Sequence, residues 1–195
     1  MTKLDAVNEI LAAIGEDPVN SLDSGLPDAD RAEQALDRVV RQALTRGWWF
    51  NVEEGYTFYP NVDDKIELPA EVASVTGDQK DAGRMFTIRN GFLYDMDEHT
   101  DEFSKEVSVR VTWELPWTDL PSVFRDYATI KAARHFQDNQ LGSQKHHQYY
   151  TQDEAQAYAL LVEQDVIQDP ANMNRDSYSA LDITGRFHNP SKYIP

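Results

Sequence analysis

Acidic side chains are the most abundant groups in this sequence that could do chemistry. Asp and Glu together number 34 of the 195 residues, and Glu53–Glu54 is the most conspicuous pair. Two carboxylates on either side of a glycosidic bond can hydrolyse it, one as the acid and the other as the base or nucleophile. If this pair lies in a strand, however, consecutive side chains face opposite sides of the sheet and cannot flank one bond. A carbohydrate hydrolase is therefore an alternative hypothesis that no motif supports.

Candidate metal ligands are present, but their spacing is not that of known sites. His146 and His147 are adjacent in a helical segment, whereas two-histidine metal sites place their ligands four residues apart on one face. Asp95 and Asp97 lack the twelve-residue loop of an EF-hand, and we expect them, with Glu98, to be solvated loop acids. The sequence also has no cysteine, no Gly-x-Ser-x-Gly elbow and no phosphate-binding glycine loop. We predict no catalytic residue, no metal and no cofactor.

A group of aromatic residues allows two further interpretations. Trp48, Trp49 and Phe50 follow one another, and Trp113 and Trp117 lie on either side of a proline. Such rings can stack on sugars, but Trp and Tyr are also enriched in protein cores and at the centres of protein–protein interfaces. We favour a core or interface position for all five residues.

The chain carries a formal net charge of -16, from 34 acidic against 18 basic side chains. Because affinity for phosphate backbones comes from Lys and Arg, this charge opposes sequence-specific DNA binding. Residues 169–195 hold three acids and three bases, so the acidic excess lies in the first 168 residues. No stretch reaches the roughly 20 apolar residues that span a bilayer, and the start lacks the apolar core of a secretory signal. We expect a soluble protein that does not insert into membranes.

Apolar residues recur at steps of three and four in four segments, which predicts four helices. The first covers residues 3–14, and the second covers residues 28–47. The third follows Pro121 and ends at Gly142. The fourth covers about residues 144–168, and its expected inward positions are Ala155, Tyr158, Leu161, Val162 and Val166.

Between the second and third helices the apolar period changes to two, which is typical of β-strands. Candidate strands cover residues 48–59, 65–68 and 107–113. Residues 85–94 are interrupted by Asn90–Gly91, a dipeptide favoured in two-residue hairpin turns. In the last strand the residues expected to be buried are Val107, Val109, Val111 and Trp113.

These elements predict an α+β fold. Four short helices can bury their apolar faces only against each other, so we expect a discontinuous four-helix bundle. A small antiparallel β domain is inserted after the second helix, and an extended C-terminal arm follows the fourth. The expected domains are residues 1–47 and 118–168 for the two halves of the helical domain, 48–117 for the β domain and 169–195 for the arm.

Three patches of the sequence resemble a known family. They are residues 6–19 (AVNEILAAIGEDPV), residues 46–55 (RGWWFNVEEG), and residues 124–127 (FRDY) with 131–136 (KAARHF). In this order they are similar to the tail tubular protein A family, the head-to-tail adaptors of autographivirus-type short-tailed bacteriophages (podoviruses). The resemblance implies a helical bundle with an inserted β domain, in agreement with the periodicity.

The resemblance also implies partners and a location. It implies a dodecameric ring under the portal protein, joined to the tail nozzle (tail tubular protein B) and to tail fibres. We therefore expect a homo-oligomeric ring in the virion tail, made in the host bacterial cytoplasm, that passes viral DNA during ejection without sequence-specific binding. Tyr178, Phe187 and Tyr193 are candidates for portal contact, because an arm of this kind can order on a partner.

Two other functions stay open at this point. One is a hydrolase of bacterial surface polysaccharide, as a second activity of the tail protein. The other is a soluble module that binds a host factor.

Overall fold

A computed structural model describes residues 1–78, 84–140 and 144–168 of the chain. The elements in chain order are α1 Lys3–Ala12, α2 Pro27–Leu44, β1 Val52–Phe58, β2 Val72–Gly77, β3 Phe86–Arg89, β4 Phe92–Asp95, β5 Val107–Trp113, α3 Ser122–Gln140 and α4 Gln144–Gln168. A short 3-10 helix, Trp117–Asp119, precedes α3. The α+β class is confirmed. Along the chain, two helices precede a small antiparallel β region and two helices follow it. The arm predicted for residues 169–195 lies outside the described residues.

Helix α1 has a capped start, and a cluster of charges joins it to α2. The Thr2 hydroxyl accepts a hydrogen bond from the Asp5 backbone N–H at 3.1 Å, and the Asp5 carboxylate accepts one from the Thr2 N–H at 2.8 Å. The Lys3 ammonium then lies 2.7 Å from Glu33 and 2.9 Å from Asp37 of α2. Helix α1 ends two residues before the predicted end.

Helix α3 is the centre of the bundle, because α1, α2 and α4 all pack against it. Leu161 of α4 is fully buried, and Tyr158 and Val162 are partly buried against the helical core. The prediction was wrong for Ala155, which is exposed. Since α4 packs mainly on α3, a single neighbour covers only a narrow stripe of its surface.

The β region contains a three-stranded antiparallel sheet, in the order β1-β5-β2, and the separate hairpin β3-β4. The predicted turn is confirmed at Asn90 and Gly91, whose φ angles of 52° and 82° are those of a two-residue hairpin turn. The alternation predicted for the last strand is confirmed at Val107, Val109 and Val111, which are buried. It was wrong at the end of the strand, where Thr112 is buried and Trp113 is only partly buried.

Two strand predictions differ from the structure, and one strand was not predicted. The segment from residue 48 begins with a turn, and the strand starts only at Val52. Residues 65–68 form isolated bridges, Lys65 with Glu102 and Glu67 with Phe92, rather than a strand. Strand β2 was not predicted, because a register shift between Val72 and Ser74 breaks the period of two.

The buried apolar residues form two cores. The larger combines the inner faces of all four helices with Trp48, and the smaller lies in the β region around Ile66, Leu93 and Val109. Of the described helices, none is both long and apolar enough to cross a membrane.

Candidate interaction surfaces

Residues 46–51, which we call the junction, connect the helical core to the β region. Trp48 is 2% exposed, and its indole Nε1 donates a hydrogen bond to the Ala43 carbonyl at 2.8 Å. Its ring meets Phe124 of α3 and Tyr158 of α4 edge to face, each with a centroid distance of 6.3 Å. The Arg46 guanidinium lies 4.7 Å from the Trp48 ring centroid. The junction is thus packed against two of the helices that follow it by more than 70 residues.

Asn51 ties the end of α2 to the sheet. Its side-chain oxygen accepts from the Trp48 backbone N–H at 2.8 Å, and its amide nitrogen donates to the carbonyls of Leu44 and Trp113, at 3.1 and 2.8 Å. The side chain is 1% exposed, and these bonds satisfy the polar groups around it. Asp165 of α4 adds a second tie, because its carboxylate accepts from the Trp49 N–H at 2.9 Å.

Gly47 makes the tight turn into the junction possible. Its φ is +77°, and a Cβ at this position would lie 2.9 Å from Cγ2 of Val52. Both the backbone conformation and the space therefore require glycine.

We expect Gly47→Ala to lower the free energy of unfolding by about 2–4 kcal/mol, from left-handed backbone strain plus overpacking against Val52. Urea unfolding measures this loss. Gly91→Ala is the matched control, since its φ is +82° but nothing lies within 4 Å of the added Cβ. The control is expected to lose only about 1–2 kcal/mol from backbone strain. Equal losses in the two variants would contradict a packing restriction at Gly47.

The five aromatic residues singled out in the sequence contribute to the two cores. Trp48 is buried, and Trp49, Phe50 and Trp117 pack partly buried against the helical core. Trp113 packs on the β core, with its ring centroid 5.3 Å from that of Tyr56. The candidate arm residues Tyr178, Phe187 and Tyr193 lie outside the described residues.

The acidic pair Glu53–Glu54 lies in β1, and both side chains are exposed. The Glu54 carboxylate is 3.1 Å from Nε of Arg110 on the neighbouring strand β5. Gly55 follows with a positive φ, where the β1-β5 register shifts. Glu54 is therefore half of an ion pair on the sheet surface.

The expectation that Asp95 is a solvated loop acid was wrong. Its side chain is fully buried and accepts hydrogen bonds from the Arg84 guanidinium and from the backbone N–H groups of Asp97 and Glu98, the latter two at 2.9 and 3.0 Å. Burial alone would raise the pKa of Asp95, but these hydrogen bonds and the Arg84 charge outweigh it, so the pKa lies below its ordinary value of 3.8. Asp95 anchors the turn after the β3-β4 hairpin.

We expect Asp95→Asn to lower the free energy of unfolding at pH 7 by about 1–3 kcal/mol, because the amide cannot accept all of these bonds. The ionised form is favoured in the folded state, so its contribution is present above the unfolded pKa and is lost as the pH falls through the folded pKa. Urea unfolding at pH 7 and near pH 3 should therefore show a smaller difference between the two proteins at the lower pH. A difference that stays constant over this range would contradict the ionised state of Asp95.

No group of three His, Asp or Glu side chains that could hold a metal ion occurs among residues 1–78, 84–140 and 144–168. The side chains of His146 and His147 are not among those described.

Exposed apolar and basic side chains occur on two helices. Leu160 and Ile167 of α4 are 58% and 59% exposed, and Leu160 lines a groove of about 300 Å³ between α3 and α4. On α2 the arginines Arg31, Arg38 and Arg41 are exposed. The periodicity of the sequence assigns no role to these arginines.

Comparison with known proteins identifies the class of protein. A family model described as tail tubular protein matches residues 4–171. Tail tubular protein A of Klebsiella phage KP34 is 32% identical over 162 residues, which cover 83% of this chain and 85% of that protein. These similarities make the chain a structural protein of a bacteriophage tail. More particularly, it belongs to the tail tubular protein family.

Proposed function

We propose that this chain is a head-to-tail adaptor. In the proposal, about twelve copies form a ring that joins the portal protein to the tail nozzle and the tail fibres and encloses the channel through which DNA leaves the capsid. The observation that carries it is the family match, which spans residues 4–171 and so includes all four helices and the β region. The chain would be made in the host bacterial cytoplasm and assembled into the tail.

The packing of the junction supports a rigid building block. Trp48 and Asn51 connect α2, the sheet and α3, and Asp165 attaches α4 to the same segment. A ring subunit must hold its contact surfaces at a fixed angle, because a small error repeated around the ring would prevent closure. In this proposal the residue ranges 1–47 and 118–168 form the ring body, residues 48–117 project from it, and residues 169–195 contact the portal.

The charge of the chain supports passage of DNA rather than binding. A net charge of -16 on each copy gives a ring that repels phosphate, so the duplex does not adhere to the channel wall. No observation on the described residues favours the carbohydrate hydrolase or the host-factor module, and we do not propose them.

Mass measurement of the purified chain mixed with portal protein tests the proposal. We expect a complex that contains about twelve copies of this chain, whether or not the chain alone is monomeric, because the portal can template the ring. A chain that stays monomeric with portal present and is absent from the head–tail junction of imaged particles would overturn the proposal.

A further inference from the structure

The exposed face of α2 is a basic stripe, a name we use for Arg31, Gln34, Arg38, Arg41 and Thr45. These residues recur at steps of three, four, three and four, so they share one face of the helix. All five are exposed, and none is acidic. Asp28 lies 3.3 Å from Arg31, whereas Arg38 and Arg41 make no ion pair with a described residue.

The exposed face of α4 is an acidic–apolar stripe, formed by Asp153, Gln156, Leu160, Glu163 and Ile167. The steps are again three, four, three and four, and all five residues are exposed. Leu160 and Ile167 are both more than half exposed. Asp153 and Glu163 make no ion pair with any residue in the described ranges. The stripe therefore offers two aliphatic side chains with acids beside them.

The groove next to this stripe has the same character. Its lining is mostly apolar, with Val123, Ile130, Ala157 and Leu160. The lining also contains the acids Asp126 and Asp153.

Two pKa shifts in this region have burial as their main cause and the neighbouring acids as a second cause. Burial and the Asp126 carboxylate raise the pKa of Glu9, and burial with Glu9 and Asp153 raises the pKa of Tyr150. A cation at this surface would relieve the repulsion.

Within one chain, the two stripes lie on helices that hardly contact each other. Both α2 and α4 pack on α3, and any contact between α2 and α4 themselves is sparse. Each stripe covers fifteen positions of helix, or about 21 Å at 1.5 Å per residue. Two surfaces of equal length, opposite charge and separate location are what a head-to-tail contact between identical copies requires.

We infer that the basic stripe of one copy docks on the acidic–apolar stripe and groove of the next copy. This inference rests on the proposed ring and names the surfaces that close it. The arginine stems cover Leu160 and Ile167, and their guanidinium groups reach the carboxylates beside them.

Pairing of like stripes is disfavoured, because arginine would face arginine or acid would face acid. A contact of the basic stripe of one copy on the acidic–apolar stripe of the next is heterologous, and each copy keeps its other stripe for a second neighbour, so the copies can close into a ring.

A DNA contact is the other use that three arginines suggest. It is disfavoured because Asp28, Asp30 and Asp37 lie on the same helix, and phosphate binding needs an excess of cations. The test below includes this outcome.

The absence of cysteine from the sequence allows a direct test by cross-linking. Arg38→Cys and Leu160→Cys are introduced together, and tail particles that carry this chain are treated with a short bis-maleimide. We expect a ladder of covalent multimers extending toward the full ring. Arg38→Cys with Glu106→Cys, which places the second thiol on the exposed β region, is the matched control and should give no ladder. Each single-cysteine variant should also give none.

Charge exchange is the second test, and it does not depend on the cysteines. Arg38→Glu with Arg41→Glu should reduce the assembled fraction more than about tenfold, because like charges then face each other. Adding Asp153→Arg and Glu163→Arg to the same chain should restore assembly. Lys105→Glu with Glu106→Lys is the control and should leave assembly unchanged. All of these positions are exposed, so folding should be preserved, and far-UV circular dichroism checks it.

The outcomes separate the inference from the proposed function. A ring in imaged particles with no ladder and no rescue by charge exchange would overturn the inference and leave the adaptor role intact. A particle without a ring of this chain would overturn both. Loss of DNA affinity on Arg38→Glu with Arg41→Glu, with ring assembly unaffected, would assign the basic stripe to DNA and overturn the inference.

Discussion

Trp48→Ala is expected to lower the free energy of unfolding by about 3–5 kcal/mol, the range for truncation of a large buried aromatic residue. The ring is 2% exposed and contacts α3 and α4 through Phe124 and Tyr158. The change also removes the partner of the Ala43 carbonyl and the ring under Arg46. Because three elements lose contacts at once, the cavity cannot close by a small local shift.

Urea unfolding followed by far-UV circular dichroism measures this loss without relying on tryptophan fluorescence. Trp117→Ala is the matched control, since Trp117 packs only partly buried on the same helical core and should lose less than half as much. A ring assembly assay at a temperature where both variants are folded should then show a larger defect for Trp48→Ala. Equal free-energy losses in the two variants would contradict a larger contribution of the buried Trp48 ring to the helical core.

The parts of the fold that were predicted correctly from the sequence have a local pattern, either a regular spacing of apolar residues or a typical turn dipeptide. Helix α4 was predicted over its full extent, and the turn at Asn90–Gly91 was predicted because both residues accept a positive φ. Strand β5 is the central strand of its sheet, and its alternating valines made it recognisable. In these cases the sequence pattern that predicts the element lies within a few neighbouring residues.

The features that were missed depend on residues far apart in the chain. Asp95 looked like a loop acid, since its partner Arg84 and its burial follow from the folding of the hairpin. The tie between Trp49 and Asp165 joins positions 116 residues apart. Strand β2 contains a bulge, so its two buried valines are three positions apart rather than two. Local patterns carry no information about any of these contacts.

The two exposed stripes could not be predicted from the sequence, because their match depends on how two distant helices pack. Nothing in the sequence of α2 alone indicates that its exposed arginines match a stripe on α4. The match appears only when α3 is seen to separate the two helices. The five core aromatics behave differently, because their size alone favours burial.

Asn51→Leu is the second change expected to have a large effect, a loss of about 3–5 kcal/mol. Leucine has a similar volume but no polar atoms, so the Trp48 N–H and the Trp113 carbonyl lose their Asn51 partners in a buried site. The Leu44 carbonyl keeps one bond, from the Gly47 N–H at 3.0 Å. Leaving buried groups unpaired costs about 1–3 kcal/mol each, and the apolar gain from leucine is small in comparison.

The same change should also weaken the connection between the two cores. Asn51 is the side chain through which the end of α2 and the end of β5 share hydrogen bonds, so without it the sheet can open before the helices do. Hydrogen exchange of the wild-type chain should show one opening free energy for amides of α2 and β5, whereas the variant should show a lower value for β5. Asn20→Leu, at an exposed position outside the helices, should change neither value. If Asn51→Leu lowered the opening free energies of α2 and β5 equally, the side chain would stabilise the fold without coupling its two cores. The β region would then owe its fixed position to the aromatic packing of the junction.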